Sequence, residues 1–283
     1  MATSITDAKG LELFCDYMNK KAAELGMTNT VFRDPTGVDN YSTSSDIMKC
    51  LLWATDNKKL HEIWKLPDYT ADIKGENPRL YSVISLSKKG ENCQYLTDHY
   101  EVIVGKGGTL LTPKIYNSAM LVKMPEEGSR DALACVIMGA DEPNRERNNK
   151  YMADKLALDC ALINYYKKDE ELPYVCAKSA VVYLKRENGE CIKLYEKQPD
   201  LVIKPASMSK MMTAMIALEY VDDLDTEITV SDEVMELMPK IFYQNDLRAH
   251  DVVTMRDLIA LMLLPSSNSA AYTVGAYVGR LMA

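Results

Sequence analysis

A mixed helix-and-sheet protein with antiparallel strand pairing is what the sequence predicts, on three observations. Lys178 to Leu184 and Cys191 to Glu196 alternate β-branched and aromatic residues around Glu187-Asn188-Gly189-Glu190, a hairpin signal because Asn-Gly tolerates the positive φ values of a tight turn. Residues 9 to 25 place Leu11, Leu13, Phe14, Tyr17, Met18, Ala22 and Leu25 mainly on one helical face, with Gly26 as a stop. Residues 207 to 220 (SMSKMMTAMIALEY) are apolar nearly all round, the mark of a helix through the middle of a protein rather than on its surface.

The remaining elements follow in chain order. Thr43-Ser-Ser-Asp46 has the spacing of a capping box and opens a helix through Ala54. Residues 67 to 100 mix Pro, Gly, Asn and short alternating runs, read as loops and weak strands. Strands are expected at 101 to 104 and 117 to 123, flanking a glycine cluster. Ala132 to Met138 is a continuous apolar run of buried-strand length, and a long helix is expected from Asn144 to Tyr166. Thr254-Met-Arg-Asp257 caps a helix through Leu263 that Pro265 breaks, and 269 to 281 continues as another.

Composition narrows the function. The 283 residues are 47% hydrophobic and 26% charged, as expected of a globular chain of one large domain or two lobes. No apolar run approaches the roughly 20 residues of a membrane helix, so no membrane span is expected, and no secretory signal is visible at the N-terminus. The net charge of −8, without a basic cluster, argues against nucleic acid as a partner. The seven cysteines form no C-x-x-C pair, and most sit in apolar stretches where a buried, inert thiol is expected. His61, His99 and His250 lack Cys or carboxylate partners at ligand spacing, so neither a metal nor any other cofactor is expected.

Two short motifs can carry chemistry. Ser207-Met208-Ser209-Lys210 stacks a hydroxyl and an amine one turn apart, a geometry in which the amine can take the hydroxyl proton. A Ser N-cap with a solvated Lys is the bland alternative, but a Lys among Met211, Met212, Ala214, Met215 and Ile216 is costly unless paired or neutral. Leu263-Leu-Pro-Ser-Ser-Asn-Ser places a polar Ser266-x-Asn268 triplet in a sharp break between apolar helices, where a turn with local backbone bonds is the alternative. S-x-x-K with a second S-x-N element, together with K-T-G, is the signature of penicillin-binding proteins and serine β-lactamases.

With Lys204-Pro-Ala-Ser-Met-Ser-Lys-Met-Met-Thr-Ala, Leu263-Leu-Pro-Ser-Ser-Asn, Met18-Asn-Lys-Lys-Ala-Ala-Glu-Leu-Gly-Met-Thr-Asn-Thr and Asp34-Pro-Thr-Gly, the chain resembles the serine-type D-alanyl-D-alanine carboxypeptidases, the low-molecular-weight penicillin-binding proteins, through nearly its whole length. The resemblance implies an α+β fold of the DD-peptidase/β-lactamase type: an antiparallel sheet flanked by helices, a helical lobe, and a site between them. The family order runs S-x-x-K, S-x-N, the Gly-Met-Thr-Asn-Thr region, then K-T-G. Here the order is circularly permuted, with Tyr165 to Tyr174 as the connector where the usual ends would lie. On that reading the sheet lobe is 101–205, and the helical lobe is split between 206–283 and 1–100.

By the same resemblance Ser207 would attack the carbonyl between two D-alanines, Lys210 would accept its proton, Ser266 would relay a proton to the leaving amine, and Asn268 would hold Lys210 and the substrate amide. At the third motif, Lys106-Gly107-Gly108-Thr109 stands near the expected K-T-G, with Gly107 in place of the hydroxyl residue. Lys106 would bind the terminal carboxylate; a shifted alignment onto Gly108-Thr109-Leu110 would leave the motif without its Lys. The implied partners are peptidoglycan stem peptides and, as covalent inhibitors, β-lactams, and the implied location is the extracytoplasmic cell envelope. A catalytically weak wall-binding module and, ranked well below it, a serine β-lactamase are the alternative functions.

Overall fold

In the computed structural model, which describes residues 5–89, 93–111, 114–140, 149–239 and 246–283, the first helix starts where its cap dictates. The Thr6 hydroxyl accepts from the Lys9 amide and opens α1 (Asp7–Glu24), whose i, i+4 row Gly10, Phe14, Met18 and Ala22 is buried. Thr43 caps α2 (Ser44–Asp56). Only half of the expected capping box forms: the Asp46 carboxylate turns instead to the Asn29 amide, the Thr30 hydroxyl and Lys49. Next come α3 (Lys58–Trp64), β1 (Asp68–Gly75), β2 (Arg79–Ile84) and the short α4 (Gln94–Thr97).

Strand β3 (Val102–Leu111) runs straight through the glycine cluster, correcting the expectation that two strands flank it, and pairs with β4 (Lys114–Lys123). The glycines are there for close approach: a Cβ on Gly105 would stand 2.7 Å from Ser87 Cβ, and one on Gly108 would stand 2.5 Å from the Pro205 carbonyl oxygen. Strand β5 (Ala132–Ala140) is buried along its whole length, as its unbroken apolar run requires. Helix α5 is observed from Asn149 to Tyr166; its expected beginning at 144–148 lies outside the described residues. The hairpin forms as β6 (Ala177–Lys185) and β7 (Cys191–Lys197), completing a five-stranded antiparallel sheet in the order β3-β4-β5-β6-β7.

The sheet is covered on both faces because β5 alternates. Leu133, Cys135 and Ile137 pack with Ala153, Ala157 and Leu158 of α5, while Ala134, Val136 and Met138 belong to the larger core shared with the other helices. The larger core centres on α6 (Lys210–Tyr220), buried from Lys210 to Leu218 as its apolar circumference predicts. Beyond it lie β8 (Glu227–Thr229), α7 (Asp232–Leu237), β9 (Asp251–Thr254), α8 (Met255–Leu263) and α9 (Asn268–Leu281). A second antiparallel sheet, in the order β2-β1-β9-β8, is set into this helical part. The three-residue β8 and four-residue β9 are too short to show a period in the sequence. No described helix is long and apolar enough to cross a membrane.

Helices α1 and α9 lie antiparallel, with Asp7 paired to Arg280 and Gly10 against Gly279 and Ala276. A circularly permuted order predicts Met1 near Ala283, and Met1 lies outside the described residues. A Cβ at Gly279 would stand 1.8 Å from the Gly10 carbonyl oxygen. Gly279→Ala should therefore destabilise the fold, because overpacking at about 1–3 kcal/mol or more outweighs the roughly 1 kcal/mol that Ala gains over Gly in a helix. An unchanged denaturant midpoint would contradict this packing.

Candidate active site

Four separate pieces of chain meet at one place. Ser207 lies not in an α-helix, as its spacing suggested, but in a single 3-10 turn, Ala206–Ser209, leading into α6. The tighter turn still brings the pair together: Lys210 Nζ is 2.9 Å from Ser207 Oγ. Ala206 has φ 51°, a left-handed conformation unusual for a residue with a side chain, so the turn is held rather than relaxed. Gly108 on β3 presses on it from one side, its Cβ position 3.2 Å from Ala206 Cβ, and Gly37 presses from another, its Cβ position 1.8 Å from the Ala206 carbonyl oxygen.

Pro265 ends α8, Ser267 caps α9 by accepting from the Ala270 amide, and Ser266 between them has φ 72°. This kink turns the Ser266 carbonyl and hydroxyl, and the Asn268 side chain, toward Lys210. Lys210 Nζ donates to Asn268 Oδ1 at 2.6 Å and to the Ser266 carbonyl oxygen at 3.0 Å, with Ser266 Oγ at 3.3 Å. From β3, the outer strand of the larger sheet, Lys106 Nζ donates to Ser266 Oγ at 2.8 Å and to the Gly107 carbonyl oxygen at 2.9 Å. Of the two alignments left open at the third motif, Lys106-Gly107-Gly108 is the one whose amine reaches the other motifs. Gly107 is half-buried and Thr109 exposed on the same strand.

Protonation follows from this geometry. Lys210 is fully buried, and burial pulls its amine down to about 7, against the opposing pull of the Asp34 and Asp246 carboxylates. A neutral amine has two N–H donors and one lone pair. The Asn268 and Ser266 carbonyl oxygens can take the two donors, which leaves the lone pair for the Ser207 hydroxyl. The arrangement can therefore activate a serine, with a second hydroxyl, Ser266, bridging two amines beside it.

Sequence reading assigned no role to several residues that support this centre. Trp64 Nε1 donates to the Gly105 carbonyl oxygen at 2.9 Å and anchors β3 next to Lys106. The buried Asp246 carboxylate accepts from Ser269 Oγ at 2.7 Å, and Ser269 Oγ lies 3.0 Å from that of Ser267, so the kink between α8 and α9 is backed by a buried polar chain. Asp34-Pro-Thr-Gly was visible as a motif, but its position beside the Ser207 turn was not.

Residues 167–279 match the family of D-alanyl-D-alanine carboxypeptidases, peptidase family S11. The matched segment contains Ser207, Lys210, Ser266 and Asn268. The chain is also 35% identical over 78 residues to a D-alanyl-D-alanine endopeptidase of Pseudomonas aeruginosa and 33% identical over 78 residues to one of Escherichia coli. Each match covers 28% of this chain and 24% of the relative, so the matching stretch spans about a quarter of the length of these curated relatives. No solved structure matches the chain significantly. The fold itself, α+β with antiparallel sheets flanked by helices, is in keeping with the DD-peptidase/β-lactamase type.

The amine at Lys210 sets a pH dependence. Protonation below about 7 removes the lone pair, so the reactivity of the Ser207 hydroxyl should rise with pH through about 7 and fall about tenfold per unit below it. The pH profile of Ser207 modification by a serine-directed acylating reagent between pH 5 and 9 checks this. A flat profile would remove Lys210 as the base.

Proposed function

We propose that this chain is a serine DD-peptidase acting on peptidoglycan stem peptides through an acyl-enzyme, and that it works as a D-alanyl-D-alanine carboxypeptidase. The observation that carries the reading is the convergence of two lysines and two serines: Lys210 Nζ lies 2.9 Å from Ser207 Oγ, and Lys106 Nζ lies 2.8 Å from Ser266 Oγ. Ser207 Oγ attacks the carbonyl between two D-alanines while its proton passes to Lys210, and the C–N bond breaks as Ser266 delivers a proton to the leaving amine. Asn268 holds Lys210 and the substrate amide. Water then hydrolyses the serine ester. The Ser207 amide and one on the Gly108-Thr109 stretch form the oxyanion site, a contribution of roughly 3 kcal/mol per donor in enzymes where it has been removed. The close approach of Gly108 to the Pro205 carbonyl oxygen and the Ala206 methyl supports this pairing.

Lys106 attracts the substrate's terminal carboxylate. β-Lactams acylate the same serine, and the natural setting is the extracytoplasmic envelope, both by family resemblance. Circular permutation accounts for the motif order, with a sheet lobe at 101–205 and a helical lobe made of 206–283 and 1–100. The antiparallel contact of α1 with α9, through Gly10 and Gly279, supports it, because in family order α9 would lead into α1. A second reading, an endopeptidase, is favoured by the names of the two relatives. Release of D-alanine from a pentapeptide against cleavage of a cross-linked dimer separates the two.

Intact-mass analysis after penicillin treatment should show one adduct, on the peptide containing Ser207, that is lost in Ser207→Ala. An adduct that survives would overturn the assignment. Gly107 cannot hydrogen-bond a carboxylate with a side chain, a loss worth roughly 1.5–3 kcal/mol. Gly107→Thr should therefore raise the specificity constant for acylation by about one to two decades. No change would show that this strand does not bind the substrate as proposed.

A further inference from the structure

The loop Arg33-Asp34-Pro35-Thr36-Gly37-Val38-Asp39-Asn40 lies far from Ser207 in the chain and against it in space, and the acyl-transfer scheme gives it no part. It is built as a rigid body. Asp34 Oδ1 accepts from the amides of Thr36 (2.7 Å), Gly37 (2.7 Å) and Val38 (3.3 Å) and from the Thr36 hydroxyl (2.5 Å), while Oδ2 accepts from the Asp39 amide (2.9 Å). Asn40, fully buried, accepts on Oδ1 from the amides of Arg33 (2.7 Å) and Asp34 (3.2 Å), and its Nδ2 donates to the Asp34 carbonyl oxygen at 3.0 Å. Every turn of this loop is thus tied to its own side chains, leaving it little freedom to yield.

This body meets the nucleophile turn at two points and α6 at a third. Gly37, at φ 100°, has its Cβ position 1.8 Å from the Ala206 carbonyl oxygen, so the two backbones touch. The second N–H of Asn40 Nδ2 donates to Ser209 Oγ at 3.0 Å, across 169 positions of sequence. The Pro35 carbonyl oxygen accepts from Thr213 Oγ1 at 2.7 Å, one turn into α6. Ala206 and Ser209, the two ends of the 3-10 turn, are therefore both clamped, while Ser207 between them stays half-exposed. A left-handed residue in a tight turn relaxes unless its surroundings over-determine it, and here the surroundings are this loop on one side and Gly108 of β3 on the other.

We propose that the 33–40 loop is a positioning element for the acyl-transfer serine: Gly37 and Asn40 lock the Ala206–Ser209 turn so that Ser207 Oγ stays within reach of Lys210 Nζ. The proposal rests on the serine acyl-transfer reading above. Asn40 and Gly37 touch neither substrate nor Lys210 in this role; they act through the turn. Loss of the lock leaves binding intact and lowers the fraction of complexes in which Oγ is aligned.

The test is acylation by a fluorescent penicillin, resolved into the dissociation constant of the first complex and the first-order acylation rate, for the wild type, Ser209→Ala, Asn40→Ala and the double variant. Ser209→Ala removes the tether from the side of the turn and leaves the loop's own hydrogen bonds in place, so it is the variant least prone to misfold. The expected result is an acylation rate lowered about tenfold or more in each single variant, with the dissociation constant within about twofold, and a double variant no slower than the slower single one. An unchanged acylation rate in Ser209→Ala and Asn40→Ala overturns the positioning role. So does a double variant whose losses multiply, or a loss in the dissociation constant that tracks thermal stability. Absence of any adduct on wild-type Ser207 overturns the acyl-enzyme reading and the positioning role with it, whereas a wild-type adduct with unaffected variants overturns the positioning role alone.

Discussion

The structure depends on one buried amine. Lys210 sits at the start of a helix that is buried from Lys210 to Leu218 and, apart from Thr213, apolar over the rest of that stretch. A charged ammonium there would carry a desolvation cost of several kcal/mol, and the interior settles that cost by bringing the amine down to about 7. The Asn268 and Ser266 carbonyl oxygens are the acceptors a neutral amine needs, and the site of its lone pair falls to Ser207. The α8–α9 kink, with Ser266 left-handed and Ser267 capping the next helix, is the arrangement that delivers those two acceptors at once.

The second constraint is steric. The Ala206–Ser209 turn is pressed by two glycines, Gly108 of β3 on one flank and Gly37 on the other, at distances where a Cβ would collide. Glycine at these positions lets three elements remote in sequence share a space too small for packed side chains. The same device seats α1 on α9 through Gly10 and Gly279. Trp64 fixes the height of β3 from the outside by its bond to the Gly105 carbonyl oxygen, which in turn sets where Lys106 meets Ser266.

Much of this was legible in the sequence. The Asn-Gly hairpin, the amphipathic α1, the all-buried β5 and the buried α6 each have a periodicity set by local geometry and the presence or absence of water on each face, so pattern alone recovers them. That Ser207 would lie beside Lys210 was legible because a three-residue spacing holds the pair within one turn of chain, and Ser266 and Asn268 were legible as a polar break between apolar helices. Strands β8 and β9 were not, because three or four residues hold no period. The glycine cluster misled for a related reason. Gly weakens a strand on its own, and its use here depends on Ser87, Pro205 and Ala206, which approach from elsewhere in the chain.

What the sequence by itself determined is therefore the set of local elements and the residue types able to carry acyl transfer, since both are written in separations of four residues or fewer. Tertiary structure alone decided which of them meet. It carried the Lys106 amine to Ser266, turned the expected helical start at Ser207 into a 3-10 turn, and set the Asp34–Asn40 loop and the Asp246–Ser269 pair around the centre. Those contacts span from 23 to 169 positions of chain. No local period encodes them, because they arise only when apolar faces far apart in sequence are buried together and carry their polar residues into register.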